Sequence, residues 1–528
     1  MDSLPTGPWF PREVTFEGTG VDFLGLRAVN MRLIDDCLPG ISNVTFNIRC
    51  YSVASWGWWK ARALLKGGER RDSEDLVAFS DRVETLFAWG HRAYGYTGAP
   101  GSGSGPPAGG AVSLDFKSWG RVRRNTSIMA AVRYGPSVKK PNGLGFLESR
   151  EGGTFAVLPP GKEIAEALDA KLRPLKAYGL LDSLAPVKGR VDDAVELVKA
   201  WRVGEVSKRE AAAFRSALHV PGADAKSREG RRTASIDLIL HALAEADGPM
   251  DVEDIRRSLV SAKLPDGSRL DVPAGLAVVR ERWLIMQVRQ LQRLALEALL
   301  SWAESQMLRH DTRRIPDLRA SLAEQMWIAT GAPAGSSWGE VVADAVEAFA
   351  DGEKHPEVAL FLVWDQLLEA LGADDGEGIV GSAIAAFGCV RSIAEVFVRR
   401  GLERAAAAGV EKADEDPVLA SCDFGGIERL SLTVFNEWLA ARDDDPAELA
   451  VVDLLETHVL SRHLSIGVGR FDGVKQRLRF TLEEEGLGPL VHRPLDPSVT
   501  ADRLDALLSL MSECGLVVRS NEGGFTIP

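Results

Sequence analysis

The chain has 528 residues, of which 45% are hydrophobic and 26% charged, and its formal net charge is −13. This composition does not resemble that of a disordered chain, and the length supports roughly three domains of about 150 residues. The acidic balance argues against a protein that coats nucleic acid non-specifically, but it is compatible with a local basic patch.

Compartment and redox state follow from what the sequence lacks. The five cysteines form no Cys-x-x-Cys pair, so neither a disulfide framework nor a zinc ribbon is predicted. The first residues, MDSLPTGPWFPRE, lack the parts of a signal peptide, and no apolar run approaches the roughly 18 residues of a membrane helix. We therefore expect a soluble, cytoplasmic protein with no membrane partner.

Residues 1–97 are predicted to form a helical unit with an aromatic core. Apolar residues recur every three or four positions over Leu24–Leu38, and the helix stops at Pro39. Ser42 or Asn43 is expected to cap a second helix.

That second helix carries the densest aromatic cluster in the chain. Arg49, Tyr51, Trp56, Trp58 and Trp59 are compatible with a platform on which bases stack. No excess of basic residues surrounds these rings, so the pattern favours buried core, with the arginine bonded to nearby carbonyl groups.

Residues 98–111 are predicted to form a flexible loop rich in glycine, serine and proline, and the next segment is basic. The loop lacks the Gly-Lys-Ser/Thr ending of a phosphate-binding loop. From Lys117 to Arg150 the chain has eight basic residues and one acidic residue, a local charge of +7. The predicted nucleic-acid contacts are Arg121, Arg123, Arg124, Arg133, Lys139, Lys140 and Arg150.

The basic segment belongs to a predicted module at 112–172 that resembles winged-helix domains. A short helix at Thr126–Tyr134, strands at Leu144–Glu148 and Thr154–Leu158, and a helix after Gly161 carry the resemblance. In that family the helix before the hairpin enters a groove and the wing touches the backbone. The stretch before the hairpin is too rich in proline and glycine for a full recognition helix, so a protein-binding use of the module stays open.

Residues 173–445 are predicted to form a helical middle domain. Its centre is a long helix from Gly275 to Leu308 that is apolar on much of its circumference. Two shorter helices, Ser235–Ala246 and Asp251–Val260, resemble half of a helix-turn-helix motif. No wing follows them in the sequence, which argues against DNA reading there.

Residues 446–528 are predicted to form a second winged-helix-like module. A helix at Thr500–Cys514 precedes a hairpin whose turn is Asn521–Gly524. The mixed local charge favours packing or oligomerisation over contact with DNA.

No complete catalytic or metal-binding motif occurs in the sequence, and no cofactor is predicted. His458 and His463 are five residues apart, whereas zinc ligands on one helix are usually three or four apart. His310 followed by Asp311 has no supporting histidine pattern. An active site assembled from distant residues stays open as an alternative.

Three segments together resemble a family of uncharacterised bacterial proteins encoded near DNA-processing or phage-defence genes. They are GLRAVNMRLIDDCLPGISNVTFNIRCYSVASWGWWK, YGPSVKKPNGLGFLE and ERWLIMQVRQLQRLALEALL. The resemblance implies a role in DNA metabolism or defence and no particular functional residues.

The sequence thus predicts a mainly α, multi-domain helical protein with winged-helix-like modules. The expected function is that of a non-enzymatic DNA-associated or scaffold subunit of a bacterial defence or DNA-processing complex. Its expected partners are other protein subunits and double-stranded DNA. A pure protein scaffold, and a nuclease or other hydrolase, are the alternatives.

Overall fold

The structure is a computed structural model that describes residues 22–65, 73–96, 98–103, 110–407, 417–470 and 477–528. It is 61% helical and 6% strand, which confirms the mainly helical class. The N-terminal stretch examined for a signal peptide and part of the glycine-rich loop lie outside the described residues.

Helices account for most of the described residues. The α-helices, in chain order, are α1 (Arg27–Cys37), α2 (Ile48–Leu64), α3 (Ser73–Ala93), α4 (Arg123–Thr126), α5 (Gly135–Val138), α6 (Pro159–Leu172), α7 (Val191–Trp201), α8 (Lys208–Leu218), α9 (Arg228–Glu245), α10 (Val252–Ser261), α11 (Ala277–Arg309), α12 (Ile315–Thr330), α13 (Trp338–Phe349), α14 (Pro356–Ala373), α15 (Gly376–Ala407), α16 (Pro417–Cys422), α17 (Leu432–Ala440), α18 (Ala447–Leu454), α19 (Ser461–Gly469) and α20 (Leu504–Glu513). A π-helix, Leu455–Leu460, joins α18 to α19.

The strands are short and form small separate sheets. They are β1 (Val112–Ser113), β2 (Lys139–Lys140), β3 (Leu147–Ser149), β4 (Phe155–Val157), β5 (Lys188–Gly189), β6 (Phe480–Glu483), β7 (Gly486–Pro489), β8 (Val518–Arg519) and β9 (Phe525–Thr526). Strand β3 pairs in parallel with β2 and antiparallel with β4, and the pairs β1–β5, β6–β7 and β8–β9 are antiparallel.

The chain divides into two compact units, and both are discontinuous in sequence. Unit 1 contains the residues up to Leu33, Leu259–Lys263 and Arg280–Thr500, and unit 2 contains Ile34–Ser258, Leu264–Val279 and Ala501–Pro528. The domains predicted from the sequence are consecutive segments, so they do not coincide with these units.

The core of unit 2 is aromatic. Helix α2 packs against α3 and α6, and α3 packs against α7. The Trp56 and Trp201 rings meet edge to face with centroids 6.3 Å apart, and the Trp56 indole N–H donates to Asp169 Oδ1 at 3.0 Å. Arg49 is fully buried, where it pairs with Glu210 and donates to backbone carbonyls. The interpretation of this aromatic cluster as core is therefore confirmed.

A glycine allows α3 and α7 to pack closely. A Cβ atom at Gly90 would clash with the Ala194 carbonyl oxygen and lie 2.9 Å from Val198 Cβ. Since the bare backbone fits where a side chain does not, position 90 sets the spacing of this helix pair.

Unit 1 is built from long helices. Helix α15 packs against α12, α13, α14 and α17, and α11 buries Trp283 and Trp302 completely. The prediction of one long helix through the centre of a helical region is confirmed by α11, which starts and ends within two residues of the predicted bounds.

Helix α15 also has the length and hydropathy of a membrane span. Within the described residues, it is the one helix that passes this test, over Gly376–Arg404, and 78% of the apolar window is buried inside the protein. Core helices of soluble proteins show the same combination.

Two local predictions in unit 2 are wrong. The second helix begins at Ile48 and not after Ser42, because Ser42 and Thr45 form a turn in which the Thr45 hydroxyl donates to the Ser42 carbonyl at 2.8 Å. The helix predicted at Thr126–Tyr134 is replaced by turns between α4 and α5.

Two fragments described separately from the sequence belong together in unit 2. The helices α9 and α10 flank Met250, which pairs antiparallel with Phe525 of the C-terminal hairpin. Arg256 on α10 pairs with Asp502, just before α20, at 2.6 Å. The predicted half helix-turn-helix is thus bonded to the residue before α20 and to the hairpin that follows α20.

Candidate nucleic-acid interface

The basic segment, Lys117–Arg150, is attached along helix α3. Arg123 pairs with Asp81 and donates to the Val77 carbonyl at 3.3 Å. The Ser127 hydroxyl and the Ile128 N–H donate to the Glu84 carboxyl group at 2.9 and 2.6 Å. These bonds fix the first half of the segment without using its exposed cations.

The second half of the basic segment is held at the start of α2 and of α9. The Asn47 N–H donates to the Tyr134 hydroxyl at 3.1 Å, and the Tyr51 and Ser137 hydroxyls are 2.6 Å apart. Arg228, in the first turn of α9, donates to the Asn142 carbonyl at 2.8 Å. The segment is thus a well-anchored surface layer of unit 2.

The same bonds explain why the predicted helix at Thr126–Tyr134 does not form. Glu84 accepts a hydrogen bond from the Ile128 N–H, and the Tyr134 N–H donates to the Ile128 carbonyl across a turn. Only the single turns α4 and α5 remain. From Val112 to Phe146, where every residue is described, no helix longer than four residues precedes the hairpin.

The hairpin itself forms as predicted. Strands β3 and β4 pair with Glu148 opposite Ala156, and a tight turn with left-handed Gly152 and Gly153 connects them. The returning helix is α6. The order of hairpin and following helix is therefore confirmed, whereas the helix that would enter a groove is absent from this module.

Four of the seven predicted contact residues make intramolecular interactions. Arg123 and Arg150 form ion pairs with Asp81 and Glu148. The Arg121 guanidinium lies 5.6 Å from the centroid of the Trp119 ring, and the Lys139 ammonium lies 5.8 Å from that of Phe155. Burial lowers the pKa of Arg123 to about 10, in keeping with a structural role.

The other three predicted residues are exposed. Arg124, Arg133 and Lys140 form no ion pair with any described residue, and the stem of Lys140 packs over Gly145. Lys117 has the same character, although it was not among the predicted contacts. Its position at the start of the basic run could have identified it as a candidate contact from the sequence. We call these four residues the free cations.

The C-terminal helix α20 does not offer a comparable surface. Its side chains are buried apart from Asp505, which is exposed, and three that are half-buried, and it contains no lysine or arginine. Glu513 accepts from the Ile48 N–H at 2.6 Å, and the Ser509 hydroxyl donates to the Phe46 carbonyl at 2.9 Å. Helix α20 therefore serves packing within unit 2.

The histidines weighed as metal ligands are buried in the interior of unit 1. His463 Nε2 accepts from the Arg479 N–H at 2.9 Å, so its Nδ1 carries the proton and donates to the Phe23 carbonyl at 3.2 Å. His458 lies in the π-helix, with its ring 4.8 Å from that of Trp438. Burial lowers the pKa of each histidine to about 4.

The pair His310 and Asp311 lies at exposed positions. Asp311 pairs with Arg313 at 2.7 Å. In the parts of the chain that the structure describes, no group of three or more histidine, cysteine, aspartate or glutamate residues could hold a metal ion.

No family model, curated protein or solved structure matches the chain.

Proposed function

We propose that the protein is a DNA-associated subunit of a bacterial defence or DNA-processing assembly and that it binds DNA through the phosphate backbone. The observation that carries the proposal is the set of four free cations on the basic segment, Lys117, Arg124, Arg133 and Lys140. An exposed cation without an intramolecular partner has its full charge available to an external anion.

The anchoring of the segment supports the same function. The segment is hydrogen-bonded at α2, α3 and α9 through its side chains and backbone, so a ligand would not have to order it on binding, and less binding energy is lost to conformational entropy. Lysine and arginine contacts to phosphates position a protein on DNA without reading its sequence. We accordingly propose binding with little sequence preference.

A protein partner is the second candidate, and one observation favours it. Val122 and Val132 lie among the cations with 59% and 62% of their surface exposed. Exposed apolar side chains between cations suit an acidic protein surface with an apolar centre. In this alternative the protein is a scaffold.

The test is binding to a labelled 40-base-pair duplex over a salt series. The variant Lys117→Ala/Arg124→Ala/Arg133→Ala/Lys140→Ala is expected to bind more weakly. Its slope of log K against log salt should flatten by about 1 for each cation that contacts a phosphate.

A matched control removes four exposed cations of unit 2 from outside the segment: Lys176, Lys199, Lys208 and Arg269. This alanine variant loses the same charge and should retain affinity and slope. Equal losses of affinity in both variants would show that the effect depends only on net charge. Absence of duplex binding by the parent protein at low salt would reject the DNA proposal and favour the scaffold.

A further inference from the structure

Helix α3 is followed by a pair of stacked tyrosine rings that the proposed function does not use. The Tyr94 and Tyr96 rings are nearly parallel, with 7° between their planes and 5.7 Å between their centroids. This is the offset arrangement in which two aromatic rings attract each other. Tyr94 is the outer member of the pair, with 44% of its surface exposed, whereas Tyr96 is half-buried.

Tyr94 differs from the other tyrosines in the bonding of its hydroxyl group. The chain has five tyrosines, and four of their hydroxyl groups are hydrogen-bonded within the protein: Tyr51 to Ser137, Tyr96 to Arg202, Tyr134 to Asn47 and Tyr178 to Asp169. The Tyr94 hydroxyl forms no hydrogen bond with any described residue. The exposed part of this ring is therefore available to a ligand.

The backbone at the end of α3 fixes the position of the pair. Gly95 is left-handed, with φ +71°, and its N–H donates to the Arg92 carbonyl at 3.1 Å, while the Tyr96 N–H donates to the His91 carbonyl at 2.9 Å. These two bonds form the Schellman motif that ends many helices. Arg202 Nη1 also donates to the Tyr96 hydroxyl at 2.6 Å. A ring that is already oriented loses little conformational freedom when a ligand binds.

The stacked pair is a neighbour of the basic segment. A Cβ atom at Gly98, two residues after Tyr96, would lie 3.7 Å from Asn47 Nδ2. The Asn47 N–H donates to the hydroxyl group of Tyr134, which follows the free cation Arg133 in the chain. A ligand held by the basic segment can therefore extend to the exposed ring.

The charges near the pair suit an uncharged base better than a phosphate. No acidic residue occurs from Thr85 to Tyr96, where Arg92 is exposed, and Glu205 on the adjoining loop pairs with Arg202. The C-terminus of a helix nevertheless carries a partial negative charge, which disfavours a phosphate in its last turn. A base carries no charge, so it does not meet this repulsion.

We propose that the DNA bound by this protein has an unpaired stretch and that one of its bases stacks on the exposed ring of Tyr94. The inference rests on the proposed function, because the free cations hold the phosphates of the same DNA. Within a duplex the faces of a base are covered by the neighbouring base pairs, whereas an unpaired base offers a face to an aromatic side chain. Every base has such a face, so this contact tolerates any sequence.

The test compares a labelled blunt duplex with the same duplex carrying a single-stranded thymidine tail of about ten nucleotides at its 5′ or its 3′ end. An abasic tail of the same length keeps the phosphates and lacks the bases. We expect the parent protein to bind at least one thymidine-tailed duplex roughly tenfold more tightly than its abasic counterpart, the size expected for one stacked base. Tyr94→Ala should lose this difference, and Tyr94→Phe, which retains the ring, should keep it.

Phe424→Ala is the matched control, because this ring is 39% exposed but lies in unit 1, and it should keep the difference between the tails. Thermal unfolding of each variant verifies that the fold is retained. The stacking proposal fails if the parent protein does not distinguish the two tails, if Tyr94→Ala still distinguishes them, or if Tyr94→Phe loses the difference. Binding of the blunt duplex by the parent protein tests the proposed function separately, so the two failures are distinguishable.

Discussion

At the scale of single residues, the buried carboxyl group of Glu84 makes stability depend on pH. Three donors surround it, yet burial raises its pKa to about 7. A carboxyl group whose pKa is raised on folding binds its proton more tightly in the folded state. Its contribution to the free energy of unfolding therefore falls as the pH rises from about 4.5 through about 7.

Glu84→Gln isolates this contribution. Between pH 5 and pH 8 the free energy of unfolding of the parent should fall relative to the variant by on the order of 3 kcal/mol. Urea unfolding at several pH values measures the difference. Glu245→Gln, at an exposed position, is the control and should run parallel to the parent. A difference between parent and Glu84→Gln that does not vary with pH would contradict the buried proton.

At this scale, the residues of the candidate interface could be predicted from the sequence only in part. The run of cations is visible in the sequence because charge is a local property. Which cations form ion pairs within the protein is not visible in the sequence, since Arg123 pairs with Asp81 on a helix more than 40 positions earlier. Likewise, Lys117 and Arg150 each follow a carboxylate by two positions in the sequence, but among the described residues only Arg150 forms an ion pair with it.

At the scale of elements, the packing of α3 on α7 depends on the missing side chain at position 90. Gly90→Ala should lower the free energy of unfolding by about 1–3 kcal/mol, because the new methyl group meets the Ala194 backbone. Gly372→Ala is the matched control, since it lies in helix α14 with no atom near the added Cβ. It should raise stability by about 0.5–1 kcal/mol through helix propensity. Equal effects of the two changes on thermal unfolding would contradict the close contact.

Long elements were predicted well, and short elements were not. Helix α11 buries much of its circumference over 33 residues, so its pattern is repeated many times. The turns around Ile128 depend on one distant carboxyl group, Glu84, and local propensity does not report it. The π-helix Leu455–Leu460 interrupts a stretch that reads as one continuous helix.

At the scale of the whole molecule, unit 2 is completed by a segment far along the chain, Ala501–Pro528. Removing Ala501–Pro528 deletes the Glu513 acceptor of the Ile48 N–H and the β-bridge partner of Met250. We expect amide hydrogen exchange in the first turn of α2 to accelerate in this truncation. Glu513→Gln retains an acceptor oxygen and should keep the protection. Unchanged exchange in the truncated chain would show that the C-terminal segment is dispensable for unit 2.

The bond between Ile48 and Glu513 joins positions 465 residues apart. A ribosome that adds about 5–20 residues per second takes on the order of a minute to separate the synthesis of the two partners. Throughout that interval the start of α2 lacks its carboxylate acceptor, and Met250 lacks its strand. Unit 2 is therefore begun early in translation and finished only once Ala501–Pro528 has been synthesised, and a chain that stops before this segment would present the unfinished surface to the proteins that monitor folding in the cell.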